Sequence, residues 1–188
     1  MQKKLSRLYY FVDEYNYSEL LKINKNTHII YRNYKKNLDI STLILLKNFC
    51  KKNNFKLYIS NNIKLALKYK LNGIYIPAFN NQINYLKYNV PVNFSVIGSA
   101  HNNKEILTKQ KQGCKLIFLS PIFKVKKNTN FLNIIKFNLL KINKKIKFVA
   151  LGGVNTHNLK QLSLINIIGF AGISYFQKKT APLKGPLI

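Results

Sequence analysis

Two small-residue turns near the C-terminal end carry the clearest chemistry in this 188-residue chain. One closes Phe148-Val149-Ala150-Leu151-Gly152-Gly153-Val154-Asn155; the other closes Gly169-Phe170-Ala171-Gly172-Ile173-Ser174. Each is an apolar, strand-like run ending in residues with little side chain just before a helical segment, so backbone N–H groups and a helix N-terminus can face an anion there. Consecutive turns of this kind read as a phosphate cradle, with Gly152, Gly153, Gly172, Ile173 and Ser174 as its donors. A pair of ordinary tight turns is the alternative.

The elements that must position these turns follow from periodicity. Short runs rich in β-branched and aromatic residues occur at Leu8 to Val12, His28 to Tyr31, Phe55 to Ile59, Gly73 to Ile76, Val92 to Ile97, Lys115 to Leu119, Lys147 to Leu151 and Ile168 to Ile173. Between them, apolar residues recur at three or four: Thr42-Leu43-Leu46-Phe49-Cys50, Ile63-Leu67-Leu71 and Leu132-Ile135-Leu139-Ile142. Eight repeated strand-helix units favour a closed α/β structure, a compact TIM (β/α)8 barrel, over an open doubly wound sheet. The first strand-helix turn, Val12-Asp13-Glu14-Tyr15, also lacks the glycine fingerprint of the open fold. Residues 1–188 read as one domain, short for a barrel of typically about 250 residues, so helices or loops must be trimmed.

In such a barrel the site lies at the C-terminal ends of the strands. These supply Asp13, Arg32, Ser60 with Asn61, Tyr75, Ser99 with His101, Ser120 to Phe123, and the two small-residue turns. The set suits a phosphorylated, partly aromatic small molecule: amides for phosphate, Arg32 as a planar donor, Tyr75 or Phe123 against a ring.

Composition narrows the alternatives. The net charge of +27 would attract any polyanion. Its lysines are spread along the chain with no basic tail or nucleic-acid motif, so dedicated nucleic-acid binding is not expected. Lys, Asn and Ile dominate together, as in proteins from adenine- and thymine-rich genomes. Only five carboxylates exist, Asp13, Glu14, Glu19, Asp39 and Glu105, and Asp39 reads as a helix start. Paired-carboxylate chemistry and carboxylate metal sites therefore have few places to form. Cys50 and Cys114 lack metal-ligand spacing and read as packed thiols in a reducing cytoplasm. No signal peptide or membrane span is expected, and a homo-oligomer stays open.

The residues resemble the thiamine phosphate synthase/TenI-like superfamily of phosphate-binding barrels, over almost the whole chain. Leu8-Tyr9-Tyr10-Phe11-Val12-Asp13 resembles the family's first strand, and Arg32 matches the arginine of its Gln-x-Arg-x-Lys strand end, with Tyr34 at the lysine position. Asn72-Gly73-Ile74-Tyr75-Ile76-Pro77 resembles its Asp-Gly-Val-His-Leu segment, and Gly98 to Glu105 its Ser-x-His strand end and following helix. The fullest match runs from Gly113 through Leu119-Ser120-Pro121-Ile122-Phe123 to Ala150-Leu151-Gly152-Gly153-Val154-Asn155.

The resemblance implies a protein of thiamine metabolism that binds a phosphorylated thiazole. In the synthases, which join a pyrimidine diphosphate to a thiazole phosphate, two aspartates hold Mg2+; Asn61 and Asn80 stand at those positions here. An amide oxygen brings no charge to offset a cation, so no metal cofactor is expected unless the chain is a synthase. The TenI-like branch instead moves a proton on the thiazole without metal, and His101 matches its histidine. An imidazole can accept and return a proton near neutrality. A structural, hydrogen-bonded histidine is the competing reading. Ser99, Arg32, Lys126 and Lys127 complete the implied set of phosphate contacts, the two lysines standing where the family has a Thr-rich, lysine-ended loop. Three functions follow: a thiazole tautomerase-like enzyme, a divergent thiamine phosphate synthase, and a non-catalytic binding barrel.

Overall fold

The computed structural model describes residues 7–34, 38–125, 130–172 and 175. Its strands are β1 (Arg7–Val12), β2 (Thr27–Tyr31), β3 (Leu57–Ser60), β4 (Gly73–Ile76), β5 (Ser95–Ala100), β6 (Leu116–Leu119), β7 (Lys147–Leu151) and β8 (Gly169–Gly172). Each pairs in parallel with its sequence neighbours, and β8 returns to β1 with Leu8 opposite Phe170 and Tyr10 opposite Gly172. The sheet is therefore a closed eight-stranded barrel.

Side chains alternate across each strand, so one half of every strand fills the barrel and the other half meets the helices. Inside lie Tyr9, Phe11, Tyr58, Tyr75 and Phe118 with smaller aliphatic partners. Their rings pack edge to face, Phe11 on Tyr75 at 5.2 Å and Tyr75 on Phe118 at 5.7 Å between centroids, which plugs the centre. Outside lie helices α1 (Tyr17–Leu21), α2 (Ile40–Lys52), α3 (Ile63–Lys68), α4 (Asn103–Lys111) and α5 (Asn133–Lys141). In α2 the spacing works as expected, burying Leu43, Leu46, Phe49 and Cys50. Asp39 caps it: its carboxylate accepts from the amides of Ser41 at 3.0 Å and Thr42 at 3.1 Å, and the Thr42 and Ser41 side chains and amides pull its pKa down to about 2.

Trimming falls in two units. Short 3-10 helices, Asn84–Lys87 and Leu159–Leu164, stand where full helices would connect β4 to β5 and β7 to β8. Pro91 helps to explain the first, because it cannot continue a helix, and Phe94 N–H closes a turn onto its carbonyl at 2.9 Å. For the same reason β5 starts at Ser95, not at Val92, which is fully exposed in that turn. Likewise β3 begins after Phe55, whose N–H bonds back to Cys50 and ends α2.

The largest departure concerns α5. Of the stripe Leu132-Ile135-Leu139-Ile142 only Leu132 packs on the core: Ile135, Leu139 and Ile142 are 72%, 60% and 57% exposed, and Phe137 is the buried residue of the helix. Apolar residues lie all round this helix, so its periodicity alone does not choose a face. Both thiols are buried and free, and burial pushes each pKa up to about 12, which leaves them inert. Among the described residues no helix is long and apolar enough to cross a membrane.

At the N-terminal end of the barrel, His28 packs on Tyr9 at 4.8 Å and stacks on Tyr58 at 6.0 Å. Burial, helped by the charges of Lys56 and Arg7, lowers its pKa to about 4. The unfolded chain therefore binds a proton near pH 6.5 that the folded chain refuses until about pH 4, so stability falls as pH falls through that window. Denaturant melts at pH 6.5 and pH 4 should show the wild type losing about 2 kcal/mol more than His28→Phe, which keeps the ring stack. A second melt separates the faces of α5: Phe137→Ala should cost about 3–5 kcal/mol, and Ile135→Ala or Leu139→Ala under about 0.5 kcal/mol.

Candidate functional site

Arg32 follows β2, its amide bonded to the Val12 carbonyl at 2.8 Å. Its guanidinium carbon lies 4.4 Å from the ring centre of Phe11 and 5.0 Å from that of Tyr34, so the cation rests on the aromatic floor at the barrel mouth. Below it the Tyr75 hydroxyl donates to Ser99 Oγ at 2.8 Å; burial pushes this phenol up to about 12, so it stays a donor. Beside Arg32 a cavity of about 170 Å³ opens at the end of β1, lined among others by Phe11, Asp13, Glu14 and Glu19. The buried Ser60 hydroxyl faces the same mouth without a well-formed hydrogen bond, although the Tyr34 phenol lies beside it.

His101 is held from two sides. Its Nδ1 sits 2.6 Å from the Ser120 carbonyl oxygen, an atom that can only accept, and 3.3 Å from the Ser120 hydroxyl; the carbonyl assigns Nδ1 a proton, so in the neutral ring the lone pair is on Nε2. The backbone is fixed by a capping box at the start of α4. Asn102 Oδ1 accepts from Glu105 N–H at 3.0 Å, and Glu105 Oε2 reaches back to His101 N–H at 2.7 Å. The residue is exposed, and Nε2 has no hydrogen-bond partner among the described residues.

Gly152 and Gly153 have φ of +88° and +73°, and a Cβ on Gly153 would sit 2.6 Å from the Phe123 carbonyl oxygen and 2.7 Å from that of Lys124. The carbonyls of this turn are all engaged. Leu151 and Gly152 accept from Ile122 and Phe123 amides, and Gly153 accepts from Asn158 Nδ2 at 2.8 Å. The N–H groups of Gly152 and Gly153 donate to no acceptor among the described residues, an arrangement suited to an anion. Gly172 ends β8 and is half-buried. Lys126, Lys127, Ile173 and Ser174 lie outside the described residues.

Asn61 and Asn80 meet directly. Asn80 Nδ2 donates to Asn61 Oδ1 at 2.8 Å and to the Tyr85 hydroxyl at 2.8 Å, and Asn80 Oδ1 accepts from Gln82 N–H at 2.9 Å. Mg2+ would need those oxygen lone pairs and the charge of at least one carboxylate. Each side-chain oxygen already accepts one hydrogen bond and the pair carries no negative charge, so these residues do not fit a divalent cation as two carboxylates would. Among the described residues no three His, Cys, Asp or Glu side chains gather as a metal site.

The capping box was open to sequence reasoning, since Asn102-Asn103-Lys104-Glu105 has its spacing. Two other residues gave no signal. Lysine and glutamine in a helix ordinarily face solvent, yet Lys109 and Gln112 are both fully buried against the Asn80 loop.

The model of a family described as thiamine monophosphate synthase matches residues 17–176. A protein of Aquifex aeolicus, named as a candidate second thiamine-phosphate synthase, is 29% identical over 184 residues, covering 92% of this chain and 98% of its own. The thiamine-phosphate synthase of a Prochlorococcus marinus strain is 27% identical over 125 residues, 65% of this chain and 36% of that longer protein. A solved thiamine phosphate pyrophosphorylase from Pyrococcus furiosus shares the fold, with a TM-score of 0.74, 19% identity, and coverage of 94% of this chain and 92% of that one.

The glycine turn generates a test of its own. Gly153→Ala should cost more than about 2 kcal/mol, from positive φ and two carbonyl contacts, while Gly172→Ala, whose Cβ would have an ordinary contact with Tyr175, should cost less than about 1 kcal/mol. Thermal melts of the two variants check this, and equal losses would contradict it. A bulky residue at Gly153 would therefore damage the loop packing before it could report on a phosphate.

Proposed function

Because this chain belongs to the thiamine monophosphate synthase family, whose business is thiamine biosynthesis, we propose that its barrel mouth binds a thiazole phosphate and that His101 moves a proton on it without a metal ion. The observation that carries this reading is the 2.6 Å contact of His101 Nδ1 with the Ser120 carbonyl oxygen, which in the neutral ring leaves the Nε2 lone pair to take a proton. In the proposed pose the phosphate meets the free amides of Gly152 and Gly153 and the turn Gly172-Ile173-Ser174, with Ser99, Lys126 and Lys127 as further contacts. Arg32, resting on Phe11, takes a second anionic group such as a carboxylate.

Proton transfer then needs only this chain's residues. Nε2 takes a proton from a ring carbon of the thiazole, the C–H electron pair passes into the conjugated ring, and the same proton is returned at another atom as the pair is released. Atoms and charge balance with no co-reactant. The imidazolium formed in between keeps its Nδ1–H on the Ser120 carbonyl, so the ring does not turn away between the two steps. A cytoplasmic setting and a small-molecule partner belong to the same proposal.

A divergent synthase is the second reading, supported by the names of the relatives and by a mouth whose Arg32 and glycine amides could equally hold a diphosphate. One experiment divides the readings. Proton exchange on a thiazole phosphate carboxylate, followed by NMR in deuterated buffer, should run at the same rate with EDTA and fall at least about 100-fold in His101→Ala. Loss in EDTA would sink the metal-free claim, and full exchange in a folded His101→Ala would remove the histidine. Coupling with the pyrimidine diphosphate in the absence of exchange would establish the synthase, and binding without either turnover a ligand-binding barrel.

A further inference from the structure

Behind the amide pair lies a polar cluster that the proton-transfer reading does not use. Lys109 of α4 and Gln112 at its end are both 0% exposed. The Lys109 ammonium donates to the backbone carbonyl of Asn80 at 2.6 Å and to Gln112 Oε1 at 2.9 Å. Gln112 Nε2 donates to the carbonyls of Asn80 and Gln82, both at 2.8 Å, so every polar atom of that amide is engaged. Gly98 makes room for the lysine stem: a Cβ there would lie 2.9 Å from Lys109 Cδ. We propose that Lys109, held by Gln112, is the built-in cation of the β3–β4 corner, fixing the Asn80 loop in place of a bound metal ion and keeping divalent cations out.

A buried ammonium is costly unless its donors are satisfied, and here its hydrogen-bond acceptors, a carbonyl and an amide oxygen, are neutral. Burial accordingly draws its pKa down, against smaller opposing contributions from Cys114 and Glu105. Glu105, the carboxylate one turn earlier in α4, is turned to His101 and Asn102 instead. A divalent cation drawn to the Asn61 and Asn80 side-chain oxygens would compete with the hydrogen bond that joins the two residues and would meet the repulsion of the Lys109 ammonium on the Asn80 carbonyl. Two amides and one lysine make a corner that holds itself together; two carboxylates would need a metal to do so. Lys109 is thus a positioning residue, acting through the Asn80 backbone.

The inference deepens the metal-free reading above, and its test uses metal binding and hydrogen exchange, not turnover, so the two can fail separately. Mn2+ binding, read by electron paramagnetic resonance, is compared in wild type, Asn61→Asp/Asn80→Asp, and that double variant with Lys109→Met. Wild type should bind no Mn2+ at millimolar concentration, and removing the lysine should tighten Mn2+ binding to the restored carboxylates at least ten-fold. In the wild-type background Lys109→Met should speed hydrogen exchange of amides 78–82 at least ten-fold and leave β7 unchanged, whereas a general loss of stability would raise both. Lys109→Gln, polar and uncharged, is carried through both measurements in case the methionine variant does not fold. Tight Mn2+ binding by wild type at Asn61 and Asn80, Mn2+ affinities of the carboxylate variants equal within two-fold with and without Lys109, or uniform exchange across loop and β7 would overturn the proposal.

Discussion

The ladder between β8 and β1 is the constraint from which the mouth follows. It brings Gly169 so close to the first strand that no side chain fits at that position, because a Cβ there would run into the Arg7 carbonyl oxygen. Gly73 is under the same constraint against Ser95. With the ring closed, the inward side chains must share one small interior, and the rings of Phe11, Tyr75 and Phe118 fill it. Residues after the strand ends then converge on one rim, which is how Arg32, Ser99, His101 and the Gly152-Gly153 turn, separated widely in sequence, come to face one space.

Scarcity of acid shapes that space. Three of the five carboxylates hold structure: Asp39 caps α2, Glu105 braces the Asn102 cap of α4 and restrains His101, and Glu19 accepts the Tyr10 hydroxyl at 3.0 Å. Asp13 and Glu14 remain beside Arg32 at the end of β1. The rest of the rim offers amides, hydroxyls and cations, and a chain of net charge +27 sets that rim in a field that draws anions. Such a surface suits a phosphorylated ligand better than it suits a metal ion.

Much of the barrel was legible because its strands are short apolar runs between polar turns, and the strand-helix alternation fixes topology once closure is assumed. The register of α5 was not, because isoleucine and leucine occur on both of its faces and only packing shows that Phe137 is the inward one. Resemblance pointed to Asn61 and Asn80 as replacements, but not to their hydrogen bond, nor to the lysine behind them. A lysine in a helix ordinarily means solvent; only the space above Gly98 and the carbonyls of the neighbouring loop turn Lys109 inward. Polar residues buried by partners distant in sequence leave no periodic trace.

Recognition of a thiazole phosphate by this chain's own groups, without a metal, is tested by calorimetric titration of the intact protein with thiazole phosphate carboxylate, in EDTA and again with Mg2+. The expected result is one site per chain and the same Kd in both buffers, within about two-fold. Binding that appears only with Mg2+, or none in either buffer, would contradict it.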